Sequence, residues 1–283
     1  MVPVYVSNGA FITRFNGRDY HLLDTIGSRL EADGIEFLMY ESWNDDIKDI
    51  RRFAKGLSVA FPTLHIDKDF GESLSEGGLE ARDRALSILR RDAETALEIG
   101  SKKLIAHLWN GPCSDSRFDE VRGVAADAME YCGKLGLEFT VENVACRRNL
   151  ALTHLEELSR SCPGITFTYD TKMAVLHGEN ELLGSDRWSW LLSEGHITHL
   201  HVNDSRMQDM GGRLPILHMG EGDVNFAAFF ALLKKHGYSG TATVESTTVN
   251  QDGFVDIAKL NRTLAAGKPM CPLWRPRKPA CWR

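Results

Sequence analysis

Short apolar runs recur along the chain, and most are followed by a longer stretch whose apolar residues return every three or four positions. The short runs predict eight strands, over 2–8 (VPVYVSN), 34–40 (GIEFLMY), 58–67 (SVAFPTLHID), 102–109 (KKLIAHLW), 137–143 (LEFTVEN), 165–170 (ITFTYD), 197–204 (ITHLHVND) and 241–246 (TATVES). Pro62 makes the third of these the least regular. Segments such as ARDRALSILRRDAETALEIG, FDEVRGVAADAMEYCGKLG, THLEELSRSC and FAAFFALLKKHG read as helices, several closed by a glycine suited to a helix C-cap.

Eight strands about 34 residues apart, alternating with helices, are what a (β/α)8 barrel of roughly 250 residues requires. An open doubly wound sheet is the other home for this alternation. Against it, the first strand is not followed by a Gly-rich dinucleotide turn, and neither a Walker A sequence nor a GxSxG elbow occurs. No nucleotide cofactor is therefore expected. No Pro/Gly/Ser-rich hinge divides residues 1–266, which are expected to form a single-domain α/β TIM barrel. Residues 267–283 carry four prolines, two tryptophans and five basic residues without an acid, and are expected to be a flexible tail.

Side chains alternate across a strand, so each run splits into a face covered by helices and a face turned inward. In strand five Glu138, Thr140 and Glu142 oppose Leu137, Phe139 and Val141; in strand six Thr166, Thr168 and Asp170 oppose Ile165, Phe167 and Tyr169. Strand seven sets Ile197, His199 and His201 against Thr198, Leu200 and Val202, and strand eight sets Thr241, Thr243 and Glu245 against Ala242 and Val244. Three inward faces thus end in a carboxylate and a fourth in an imidazole, at the strand ends where barrel active sites are built. Three carboxylates around one mouth are costly to bury without a cation. The set Glu142, Asp170, His201 and Glu245 suits one divalent ion such as Mn2+, Co2+, Mg2+ or Zn2+.

The same parity turns His65 and His107 toward the mouth, as ligands of a second metal or as donors to a polyhydroxylated substrate. Glu36 is inward on strand two. His21, His154, His196 and His236 fall in helices or loops and are assigned to the surface.

Composition narrows the partners. The 283 residues carry 33 Lys and Arg against 39 Asp and Glu, a formal charge of −6, which leaves little attraction for nucleic acid or an anionic membrane. No run of about 18 apolar residues occurs, and the start MVPVYVSNGAFITRF lacks a basic lead before a long apolar stretch. Six cysteines without a CxxC pair are expected to be reduced. Together these features favour a cytoplasmic chain, free to form a homo-oligomer, that acts on a small molecule.

The residues so collected resemble the xylose isomerase-like TIM barrel family of sugar phosphate isomerases and epimerases, which also includes endonuclease IV-type enzymes. The resemblance spans about residues 1–265. It is carried by LEFTVENVAC with Glu142 and Asn143, FTYDTKMAVLH with Asp170, HLHVNDS with His201, MGEGDVNF, GYSGTATVES with Glu245, and IAHLWNGP around His107. It implies that Glu142, Asp170, His201 and Glu245 hold one divalent ion that chelates a sugar carbonyl and its neighbouring hydroxyl, and that Glu142 and Glu245 move a carbon-bound proton through an enediolate. Epimerisation, isomerisation and the adjacent lyase or dehydratase chemistry stay open. Asn143, Lys172 and His218 join His65 and His107 as expected substrate contacts. Trp109, and more weakly Trp43, are expected to offer a sugar-stacking face, and His177 lies in a loop that could fold over the site.

Departures matter as well. His65, His107 and Glu142 match the first metal of the endonuclease branch, but Met173 stands where that branch has a histidine, and Pro215, Ile216 and Leu217 replace its Asp-x-His. DNA repair is disfavoured, and a two-metal phosphoester hydrolase is kept as the alternative to the sugar isomerase or epimerase. A third reading is a catalytically silent barrel that binds a ligand or partner.

Overall fold

Eight parallel strands close on themselves in the order β1 to β8, with β1 (Val4–Ser7) pairing both β2 (Gly34–Leu38) and β8 (Thr241–Val244). The structure is a computed structural model that describes residues 2–207 and 214–267. The remaining strands are β3 (Thr63–His65), β4 (Lys103–Ala106), β5 (Glu138–Glu142), β6 (Thr166–Asp170) and β7 (Ile197–His201). Strand three is the shortest, and its pairing starts directly after Pro62, which has no N–H to offer a ladder. All eight predicted strands form, and the fold is the expected single-domain TIM barrel. The predicted tail lies outside the described residues from 268 onward.

The helices that follow the strands are α1 (Leu22–Thr25), α2 (Ile47–Lys55), α3 (Asp69–Glu76), α4 (Leu79–Ile99), α5 (Phe118–Lys134), α6 (Ala151–Ser161), α7 (Thr171–Val175), α8 (Glu179–Leu182), α9 (Trp190–Ser193), α10 (Phe226–Lys235) and α11 (Ile257–Ala266). The apolar layer between strands and helices contains Val4, Val6, Phe37, Leu104, Phe139, Val141, Phe167 and Leu200 from the strands, packed with Leu89, Ala93, Leu155, Phe230 and Leu260 from the helices. Among the described residues no helix is long and apolar enough to cross a membrane, and Cys113, Cys132, Cys146 and Cys162 are unpaired.

The barrel interior is polar rather than filled with branched aliphatics. At its lower end Lys103 Nζ donates to Thr198 O and Oγ1, and Thr198 and Thr166 both donate to Glu138. Thr140 and Thr168 meet at 3.2 Å, and Thr63, Thr243 and His199 converge on Glu36. One element departs from strict alternation. The β6–β7 register shifts between Phe167 and Thr168, so Phe167 pairs Ile197 while Thr168 pairs His199. The extra residue is Thr198, which reaches the polar interior, whereas Ile197 joins the apolar core instead of the inward face assigned to it. The bulge leaves Asp170 paired with His201, which sets those two side by side at the mouth.

Candidate active site

Each strand-end side chain is aimed by local structure. Asp170 closes β6 and caps α7: Oδ1 accepts from the N–H groups of Lys172 and Met173 at 2.7 and 3.4 Å, so Oδ2 is turned away from the helix. Asn143, one residue past β5, ties that strand to β6 by accepting from Asp170 N–H at 2.6 Å and donating to Asp170 O at 3.2 Å. Asn203 does the same beyond β7, donating to Glu245 Oε2 and accepting from Glu245 N–H. Thr171 Oγ1 donates to Asn203 O at 2.6 Å and completes the chain of links.

These links bring the predicted carboxylates together. Glu142 Oε2 lies 3.2 Å from His201 Nδ1, 3.2 Å from His107 Nε2 and 3.3 Å from His65 Nε2, and Glu245 Oε2 is 3.6 Å from His201 Nδ1. Glu142, Asp170 and His201 offer ligand atoms within 4.8 Å of one another, and so do His65, His107 and Glu142. All of these are buried, apart from a Glu245 side chain that keeps 15 % exposure.

The electrostatics point the same way. Burial raises the Asp170 carboxyl, helped by Glu142 and Glu245 and opposed by Lys172, to about 6. Burial would also raise Glu142, but His107 and His201 outweigh it and hold that carboxyl well below the usual range. Glu245 is lowered too, by His201 against burial. Burial would lower His201, yet Glu245, Glu36 and Glu142 hold it well above an ordinary imidazole. His107 is pushed down to about 4 by burial, which leaves it a neutral donor or ligand. Asp170 Oδ2 and His201 Nδ1 are buried with no hydrogen-bond partner. Two unpartnered buried ligand atoms beside two more carboxylates fit a divalent cation, which would take the place of the His201 proton.

Lys172 is buried, with Nζ 3.7 Å from Asp170 Oδ2; burial lowers its pKa, but Asp170, Glu245 and Glu142 together raise it. Other expected contacts are placed elsewhere. Trp109 is fully buried: its indole N–H donates to Val144 O and its ring packs on Phe118 and His154, so it presents no stacking face. Trp43 is likewise buried and donates to Arg18 O. His218 spends both nitrogens on Thr263 Oγ1 and Thr247 O and braces the loop against α11, while His177 bonds Cys146 O. His154 is not on the surface; it is buried against Asp115 at 3.0 Å and stacked on Phe118. A cavity of about 650 Å3 beside that pair, lined by Arg148 and Glu157 among others, receives none of the strand-end carboxylates.

Two residues central to the arrangement carried little weight in the sequence. Glu36 lies inside the barrel, and Asn203 was only a letter in HLHVNDS. Parity placed Glu36 inward; an asparagine two residues past a strand that ends in a ligand was the available signal for Asn203.

The sequence model of a family described as xylose isomerase-like TIM barrel matches residues 26–265. No curated protein sequence matches the chain. Among solved structures, a D-allulose 3-epimerase from Methylomonas sp. in complex with D-allulose is similar with a TM-score of 0.71 at 16% identity, covering 95% of this chain and 97% of that one. The 3-keto-D-glucoside 4-epimerase YcjR from E. coli gives 0.62 at 16% identity, with 95% and 100% covered. An IolI protein with a binding zinc atom gives 0.68 at 13% identity, with 95% and 96% covered. At these identities the likeness shows a shared fold.

Proposed function

The chain belongs to the xylose isomerase-like TIM barrel family, and from that premise we propose that it isomerises or epimerises a sugar or sugar derivative by moving a carbon-bound proton at the barrel mouth. The observation that carries the reading is the cluster of Glu142, Asp170 and His201, with Glu245 beside His201 and with Asp170 Oδ2 and His201 Nδ1 buried and unpartnered. Structural neighbours that act on keto-glucoside and allulose support a sugar as the substrate class.

In this reading Glu142, Asp170, His201 and Glu245 hold one divalent ion. When bound, the ion supplies Lewis-acid stabilisation of the negative charge that develops on a substrate oxygen. Glu142 and Glu245 are both held below the usual carboxylate range, so both are ionised at neutral pH and able to take a proton. One removes the proton next to the carbonyl and the other returns it. Return on the opposite face inverts the carbon; return to the adjacent carbon exchanges aldose and ketose. Three carboxylates leave one negative charge over after a divalent ion, and the buried Lys172 ammonium, with Nζ 3.7 Å from Asp170 Oδ2, offsets it. His107, kept neutral by burial, and His65 steady Glu142 from the far side.

A second reading has one specific observation in its favour. His65 Nδ1 donates to Ile66 O at 2.7 Å, which turns Nε2 toward Glu142 and suits a second ion shared by His65, His107 and Glu142, as in a two-metal hydrolase. One experiment separates the two. Protein loaded with manganese is incubated with ketoses and their epimers in deuterated water. Deuterium entering the carbon beside the carbonyl, and lost with Glu245→Gln, supports proton transfer; phosphodiester cleavage without sugar exchange contradicts it.

A further inference from the structure

We infer that Glu36 is a positioning residue for His201, fixing which imidazole nitrogen carries the proton and therefore which one is left to face an ion. The inference rests on the metal-dependent reading above and adds to it a residue from the opposite side of the barrel.

Glu36 sits on β2 and His201 on β7, strands that are not neighbours, so the carboxylate crosses the lumen to reach the imidazole. Its two oxygens are used differently. Oε2 accepts from Thr63 Oγ1 at 3.1 Å, Thr243 Oγ1 at 2.9 Å and His199 Nε2 at 3.1 Å. Oε1 has none of these partners and lies 3.1 Å from His201 Nε2. Both atoms are buried and neither makes a hydrogen bond to a described residue, so the 3.1 Å approach is an ion-pair contact that faces Nε2 toward Glu36.

The chemistry of the pair sets the tautomer. A carboxylate only accepts, so Nε2 keeps its proton toward Glu36, and Nδ1, which faces Glu142 Oε2 at 3.2 Å and Glu245 Oε2 at 3.6 Å, is the nitrogen whose proton a cation would replace. The ring cannot easily turn over. It is stacked on His65 at 5.8 Å and meets His199 edge-on at 5.4 Å. His199 is not a rival ligand, because Nδ1 takes Thr241 Oγ1 at 2.6 Å while Nε2 contacts Glu36 and Thr243. Thr63, Thr243 and His199 thus hold one end of Glu36 so that its other end can hold His201.

The test is a Co2+ titration, by calorimetry and visible absorption, of the wild type, Glu36→Gln, His201→Ala and the double variant. Glu36→Gln is expected to weaken Co2+ binding about 10- to 100-fold. In the His201→Ala background the same change is expected to have no further effect, because Glu36 acts through that ring. An equal loss in both backgrounds would mean that Glu36 contributes only its charge, and it overturns the inference, as does unchanged affinity in Glu36→Gln. A wild type that binds no Co2+ overturns the metal reading itself, and this inference with it. Should Glu36→Gln not fold, Thr63→Val loosens the same carboxylate without touching His201; a loss of about fivefold, absent in the His201→Ala background, is then expected.

Discussion

Asn203 grips Glu245 at two points: its Nδ2 donates to Glu245 Oε2 at 2.8 Å, and its Oδ1 accepts from the Glu245 backbone N–H at 3.1 Å. The side-chain amide thereby replaces a rung of the β7–β8 ladder just past the last paired residues, and the same group that extends the sheet aims the carboxylate. Asn203→Ala removes both bonds. About 1–3 kcal/mol of stability should go with them, since Glu245 N–H loses a buried partner. Turnover should fall more than substrate affinity, because the carboxylate is released rather than removed. Urea unfolding and steady-state kinetics read the two effects, and an increase in KM alone would contradict the positioning role.

Glu245→Gln keeps the shape and the bond to Asn203 but loses the carboxylate proposed as a base. Sugar turnover should drop by about 10²–10⁴-fold, the usual contribution of a positioned proton-transfer group. His236→Ala, at the end of α10, should leave turnover unchanged and serves as the control. Wild-type rates in Glu245→Gln would remove Glu245 from the mechanism.

Asp115 organises the loop after β5. Its carboxylate accepts from the backbone N–H groups of Arg147, Arg148 and Asn149 and pairs with His154. Burial raises its pKa, but His154 and those N–H groups outweigh burial and lower it. A carboxyl whose folded pKa lies below its unfolded value of about 4 stabilises the fold above that value and loses the contribution as pH falls through the folded pKa. The stability difference between wild type and Asp115→Asn should therefore shrink as pH falls below about 4. Urea midpoints across this range check it; a difference that grows on acidification would contradict the assignment.

The turn after β7 is closed by Asp204, whose Oδ2 accepts from the N–H groups of Gly220 and Gly222 and whose Oδ1 accepts from Val224. A Cβ on Gly222 would lie 2.3 Å from Asp204 Oδ1 and from Ser205 O. Gly222→Ala should push the turn off this carboxylate at a cost of about 1–3 kcal/mol, read as a lower melting temperature. An unchanged melting temperature would mean that the turn closes without that contact.

Much of the barrel was legible because its two periodicities are clean: the runs at 137–143 and 241–246 alternate strictly, and 81–100 repeats with helical spacing. Parity alone put Glu142, Asp170, His201 and Glu245 on inward faces, and the structure places them at one mouth. It could not show the bulge at Thr198, because an extra residue changes no letter in the pattern while moving Ile197 to the core. Nor could it separate the uses of polar residues near the mouth. Trp109 and His218 stand at suitable positions in sequence, but Val144 O takes the indole N–H, and Thr263 and Thr247 take the imidazole, through contacts from distant parts of the chain. Glu36 was inward by the same parity, yet its importance depends on a contact across the lumen that no local pattern encodes.

Metal stoichiometry tests the four-residue site, measured by plasma mass spectrometry on protein purified without chelator or affinity-metal carryover and then offered manganese or cobalt. About one tightly held divalent ion per chain is expected, lost in His201→Ala. Two zinc ions per chain would bring His65 and His107 into coordination and favour hydrolysis. No bound ion after soaking would contradict the four-residue site and the proton-transfer chemistry built on it.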